Sequence, residues 1–167
     1  MKPAPGNQKL GPMNVFVDAD ACPAKDDIVV VCKRHGVVPV FVANAPIPAL
    51  AATADARMEV VPGAFDAADD WILAHAHADD LVLTADLLLA QRAVRQSADA
   101  MNFSGRALTD NVIHDLVARR EIEQQRREMN LPTHQPVPYD KRNRSHLKAA
   151  LHQWLETRKR RRGTGKA

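Results

Sequence analysis

Asp18 and Asp20 follow directly on an apolar, β-prone run, Val15-Phe16-Val17, and stand just ahead of Ala21-Cys22-Pro23. Proline fits the first turn of a helix, where its missing N–H costs nothing. The two aspartates therefore fall on a strand-to-helix turn, the place where open parallel sheets bind ligands. Neighbouring carboxylates repel one another and add nothing to packing. A divalent cation resolves that conflict, and cation chemistry is what the pair suggests. Asp86 repeats the pattern behind Leu81-Val82-Leu83-Thr84-Ala85. In a parallel sheet it lands at the same edge as Asp18. Asp79 and Asp80 precede that strand and belong at the opposite edge, outside the site. Asp86 by itself also suits a helix N-cap. Asp66, Asp69 and Asp70 open another helix, where Asp66 reads as N-cap and Asp69 as a first-turn acid. Their case as ligands rests on Asp18, Asp20 and Asp86 needing a further acid across the cleft.

Carboxylates gathered at one edge make a hard-oxygen site. Mg²⁺ or Mn²⁺ prefers such ligands and keeps waters that exchange for phosphate oxygens. The chemistry this permits is hydrolysis of a phosphodiester. Zinc is disfavoured here: the seven histidines are scattered, no Cys-x-x-Cys occurs, and each histidine reads as surface or structural. Cys22 lies at a helix start among acids and reads as a small buried residue. Weaker signals mark candidate substrate contacts. Asn44 ends the second strand at the functional edge, Thr84 shares the side of Asp86, and Asn102 opens a polar loop, Asn102-Phe103-Ser104-Gly105-Arg106. Arg142 and Arg144 belong to a basic cluster, Lys141-Arg142-Asn143-Arg144, that could reach a nucleic-acid backbone.

The elements that must position these groups alternate. Strands are expected at 14–17, 37–42, 58–61, 81–84 and 100–103. Helices are expected at 23–35, 47–53, from 66, and at 86–96, 111–128 and 145–158. Asp26 and Asp27 in the first turn of the first helix, Lys33 to His35 in its last, and Gly36 after it fit the helix dipole and a glycine C-cap. The run Ile28–Val31 alone would suggest a strand. Alternation of this kind predicts an α/β fold, a parallel sheet sandwiched between helices, with additional C-terminal helices. Neither G-x-G-x-x-G nor a P-loop motif occurs.

The chain has 167 residues, 46% of them apolar, enough for one domain with a sizeable core. No stretch reads as a membrane span, and Met1–Pro12 lacks the apolar centre of a signal peptide. With two cysteines and no disulfide pattern, a reduced, cytoplasmic setting is expected. The formal net charge of +3 conceals a split. Residues 1–12 and 158–167 hold eight of the 23 basic residues and none of the 20 acidic ones, which leaves an acidic body with basic ends. The expected organisation is a flexible extension over 1–12, an α/β domain over 13–157 and a flexible basic tail over 158–167. That layout suits an acidic metal centre with basic arms for a polyanion. A homo-oligomer is compatible with this composition.

Val17-Asp18-Ala19-Asp20-Ala21-Cys22-Pro23 resembles the opening motif of the YaiI/YqxD family of bacterial proteins. Phe65-Asp66-Ala67-Ala68-Asp69 and Leu83-Thr84-Ala85-Asp86 resemble its later acidic motifs in order and type. The resemblance spans roughly Met13 to Leu155 and implies a PIN-like fold, that of metal-dependent ribonucleases. It also implies that Asp18, Asp20, Asp69 and Asp86 are the catalytic metal ligands, with Asp66 close by, and that the partner is nucleic acid, RNA before DNA. The loop at Asn102 departs from the family's Pro-Arg-Gly pattern, and Leu88 stands where the family often has proline.

Two other readings compete. A phosphatase of the haloacid-dehalogenase type would use Asp18 as nucleophile and Asp20 as acid/base. It also needs a lysine later in the core, and none lies between the second strand and the helix after Asp86. A non-catalytic RNA-binding or regulatory protein would use the basic tail and keep the acids as a structural metal site. The chain has only seven aromatic residues, so base stacking is not a prominent theme.

Overall fold

The structure, a computed structural model, describes residues 11–164. Nearly all of the expected N-terminal extension lies outside the described residues, as do the last three residues of the expected tail. Five short strands, β1 (Val15–Asp18), β2 (Val40–Ala43), β3 (Arg57–Val60), β4 (Leu81–Leu83) and β5 (Asp99–Met101), form one parallel sheet in the order β3-β2-β1-β4-β5. The helices are α1 (Lys25–Arg34), α2 (Pro48–Ala51), α3 (Ala67–His75), α4 (Leu87–Arg95), α5 (Asp110–Glu128) and α6 (Lys141–Thr164). The chain winds from β1 outward to β3, then crosses back to β4 and out to β5. Adjacent β1 and β4 thus send their following segments in opposite directions, which opens a crevice at their C-terminal ends.

Strand alternation assigns the two faces of the sheet. Val15, Val17, Phe41, Ala43, Leu81 and Leu83 bury against α1, α2 and α6. Phe16, Val40, Val42 and Val82 bury against α3 and α4. Both faces are covered, which is why the strands read as continuous apolar runs. The ambiguous run Ile28–Val31 is helical. Ile28, Val31 and Cys32 are buried while Val30 is half exposed, the three-and-four spacing of a helix face. Both cysteines are free and buried, and burial pushes Cys22 up to about 11 and Cys32 up to about 12. They are thiols in the core. α5 engages the body through its first two turns only. Ile113 is buried with Val112 and Leu116 packed around it, while Val117 faces solvent.

The last helix differs from expectation at both ends. It begins at Lys141, so the basic cluster is its first turn; Asp140 Oδ1 accepts from the backbone N–H groups of Arg142 and Asn143. It then runs through Arg158 to Thr164 without a break. Leu147, Leu151 and Leu155 form a fully buried stripe at four-residue spacing. Arg158 is not part of a free arm. Its side chain is 11% exposed, pairs with Asp79 at 3.3 Å and with Asp99, and lies 5.1 Å from the Trp154 ring centroid. Arg162 also reaches Asp79, at 3.6 Å. Acids distant in sequence hold Arg158 and Arg162, and residues 158–164, expected as part of a flexible tail, continue α6.

Candidate acidic metal centre

Asp18 is the last residue of β1, and a single 3-10 turn (Ala19–Ala21) follows it. This turn carries Asp20 to the surface, where Asp20 Oδ2 accepts from the backbone N–H of Asn44 at 3.4 Å. Asn44 therefore meets the acids through its backbone. Asp86 arrives from β4, next door in the sheet, where Val17 pairs with Leu83. Thr84, one residue beyond that pair, is fully buried and links the two acids. Its hydroxyl donates to Asp18 Oδ2 at 2.9 Å and accepts from the Asp86 N–H at 2.9 Å. Thr84 thus ties Asp18 to Asp86 through one buried hydroxyl.

Asp86 also caps α4, as its position suggests. Both capping bonds, from Leu88 N–H at 2.8 Å and Leu89 N–H at 3.2 Å, fall on Oδ1. The second carboxylate oxygen takes no part in the cap. Asp66 occupies the N-cap position of α3 but makes no side-chain cap bond, so the simple capping explanation of that residue fails. Asp69, one turn into α3, faces the same group. Burial and then the charges of Asp18, Asp86 and Asp66 push its carboxyl up to about 6, with Arg92 opposing. Asp18 is raised as well, by burial first and then by Asp20 and Asp86, while the Thr84 hydroxyl pulls the other way. The sheet order thus brings Asp18, Asp69 and Asp86 within electrostatic reach of one another, with Asp20 acting on Asp18 and Asp66 on Asp69, while Arg92 opposes the charge at Asp69.

The donor set is chemically suited to a hard cation: carboxylate oxygens only, repelling each other while ionised. It is loosely arranged. Among the described residues, none of these aspartates belongs to a set of three ligating atoms within 4.8 Å of one another. An ion that keeps several waters, as Mg²⁺ does, suits such spacing.

The remaining candidates make contacts of their own. Asn102 Oδ1 accepts from the N–H groups of Ser104 and Arg106 at 3.0 and 2.9 Å, which builds its own loop. Arg144 grips Asp27 with two bonds of 2.7 and 3.2 Å, holding that carboxyl below its usual range. Arg142 is exposed on the first turn of α6. Asp80, buried at the opposite sheet edge, accepts from the backbone N–H groups of Asn14 and His77. The histidines read from the sequence as scattered, each surface or structural; the structure brings His35, at the end of α1, to His152 of α6, 2.8 Å apart between ring nitrogens. Their separation of 117 residues left no local spacing to reveal it.

The raised Asp69 carboxyl has a pH consequence. Folded protein without metal holds this proton more tightly than the unfolded chain, whose carboxyl titrates near 3.8. The stabilisation is complete below that value and is lost as pH rises through about 6. Asp69→Asn should therefore gain in Tm over the metal-free wild type between pH 4 and pH 7. A Tm difference that stays flat across this range would contradict the electrostatic account.

Comparison with known proteins adds the lineage. Residues 16–157 match the family model described as "Uncharacterized BCR, YaiI/YqxD family". A UPF0178 protein of Rhodospirillum rubrum is 35% identical over 148 residues, 89% of this chain and 99% of its own length. UPF0178 proteins of Brucella ovis and Azorhizobium caulinodans are 37% and 38% identical, covering 82% and 84% of this chain and 85% and 87% of theirs. No solved structure matches significantly. The matched span runs from β1 into α6 and takes in every aspartate of the acidic group, and on this basis the chain belongs to the YaiI/YqxD family.

Proposed function

We propose that the chain is a Mg²⁺- or Mn²⁺-dependent phosphodiester hydrolase, a nuclease with RNA as the preferred polymer, acting at the β1–β4 crevice. One observation carries this reading: aspartates from β1, α3 and the β4–α4 turn repel one another, at a cost visible in the raised carboxyls of Asp18 and Asp69. Repulsion of that kind is offset by a bound cation. Asp18, Asp20, Asp69 and Asp86 are the residues that would hold it, with Asp66 beside them. When bound, the ion would supply Lewis-acid polarisation of the phosphoryl oxygen and activation of water near neutral pH.

The chain's own residues then have separable tasks. Thr84 fixes Asp18 relative to Asp86 by one hydroxyl. Asp86 keeps one oxygen for the cap and one for the site. Asp69, titrating at about 6, is suited to exchange a proton near neutrality wherever it is not ligated. The setting favours a polymer. Asp20, Asp66 and Asp86 are exposed on an open edge, whereas an apolar cleft of about 500 Å³ lies elsewhere, beside β5 and Trp154. Phe65, 92% exposed and next to Asp66, offers a ring face to an unstacked base, which single-stranded substrates provide. The test is purified protein on single- and double-stranded RNA and DNA with Mn²⁺, Mg²⁺ or EDTA. Cleavage of single-stranded RNA that EDTA abolishes is expected. Absence of metal-dependent cleavage of every polymer would end the nuclease reading.

A further inference from the structure

Among the described residues, one set of three potential ligands has its ligating atoms all within 4.8 Å of one another, and it contains none of the aspartates. It consists of His35, at the C-terminal end of α1, with His152 and Glu156 of α6. His35 Nε2 stands 2.8 Å from His152 Nδ1, and His35 Nδ1 stands 3.5 Å from Glu156 Oε1. We propose that these three residues form a second cation site, for a transition ion of the Zn²⁺ class. It is separate from the acidic centre, independent of the nuclease reading, and it fastens α6 to α1.

The donor chemistry selects the ion. Two imidazoles and one carboxylate, with a fourth position left for water, make a recognised zinc ligand set; Mg²⁺ prefers oxygen throughout. The fold supplies the placement. α1 and α6 run parallel in one register, because Asp27 meets Arg144 and His35 meets His152 with the same sequence offset of 117. His152 and Glu156 are four apart, so they share a face of α6. His35 is buried, and Gly36, at φ 69°, ends α1 directly behind it. Burial and then the charge of Lys159 disfavour the protonated imidazole, while Glu156 acts the other way. A neutral ring keeps a lone pair for a metal.

The required movement is one of side chains. Tetrahedral Zn–N bonds of about 2.0–2.1 Å place two ligating nitrogens roughly 3.3 Å apart. An ion shared by His35 Nε2 and His152 Nδ1 requires the rings to part by roughly 0.5 Å and to tilt, and Glu156, which stands against the other nitrogen, His35 Nδ1, must rotate toward it; His152 is exposed on the helix surface. The competing occupant is a proton shared between the rings. The location is also distinct. α1 starts at the edge that carries the aspartates and runs back along the sheet, so its C-terminal end lies toward the other edge. Asp18, by alternation, lies on the α3/α4 face with Phe16.

The test is calorimetric titration of the chelator-stripped full chain with Zn²⁺ in excess Mg²⁺, which occupies oxygen-only sites. His152→Gln and Glu156→Gln, both outside the core, are compared with wild type after circular dichroism confirms their helicity. Wild type and Asp18→Asn should each bind one equivalent of Zn²⁺ and gain Tm. His152→Gln should lose that binding, and Glu156→Gln should weaken it by about tenfold or more. Should one variant fail to fold, the other decides. Wild type that takes up no Zn²⁺, variants that bind as wild type does, or loss of the Zn²⁺ in Asp18→Asn would each overturn the proposal.

Discussion

Asp18→Asn is expected to abolish metal-dependent phosphodiester cleavage, with a fall of at least about 100-fold in kcat, comparable to removing one preorganised electrostatic contact from an active site. The fold should survive. The asparagine Oδ1 can still accept the Thr84 hydroxyl, so the link from β1 to the β4–α4 turn remains possible. In the absence of metal the variant should melt no lower than wild type. Burial and the charges of Asp20 and Asp86 already oppose ionisation of Asp18, and the amide removes that opposition. Mg²⁺ should raise the Tm of wild type more than that of Asp18→Asn, because a ligand of the folded state stabilises in proportion to its affinity. Thermal melts with and without Mg²⁺, together with cleavage assays, check both halves. Equal metal-induced shifts would remove Asp18 from the cation site, and full cleavage by the variant would remove it from the chemistry.

Gly105→Ala should destabilise the protein by about 2–5 kcal/mol, the sum of left-handed backbone strain and overpacking. Gly105 has φ 82°, and a Cβ there would stand 2.6 Å from the His146 carbonyl oxygen and 3.0 Å from Ala150 Cβ. The obstacle is the backbone of α6, which cannot swing aside as a side chain could. The same loop is bound to the start of α6 by other contacts. Tyr139 donates to the Phe103 carbonyl at 2.8 Å, and Asn143 Nδ2 to Ser104 Oγ at 3.2 Å. Gly36→Ala is the matched control. Its φ of 69° carries a similar strain, but nothing lies within 4 Å of the added atom. It should cost only about 1–2 kcal/mol. Denaturant unfolding of both variants measures the difference. A Gly105→Ala cost no larger than that of Gly36→Ala would show that the loop and α6 are not in close contact.

What could be read along the chain was whatever a local period carries. The strands announce themselves as apolar runs bounded by turns, and the last helix through the four-residue spacing of Leu147, Leu151 and Leu155. Asp18 and Asp86 were legible at one edge because both follow strands, and parallel strands end together. Asp69 was harder. A first-turn acid is ordinary at any helix, and only the crossing of the chain from β3 to β4 brings α3 over the crevice.

Pairing between distant residues left no such trace. Arg158 reads as the start of a basic tail, yet Asp79 and Asp99 hold it against the body and the helix runs on. Arg144 reads as a free cation for phosphate, yet it is committed to Asp27. Thr84 reads as a candidate substrate contact beside Asp86; in the fold it is fully buried and bonded to two acids. His35 and His152 carry no common motif and meet only because α1 and α6 run side by side. Local periodicity determined the elements and the edge at which the first acids gather, since side-chain burial repeats with the backbone's own geometry. The partner of each charge was decided by the tertiary structure alone, since an ion pair or a ligand set depends on which elements the winding of the chain makes neighbours.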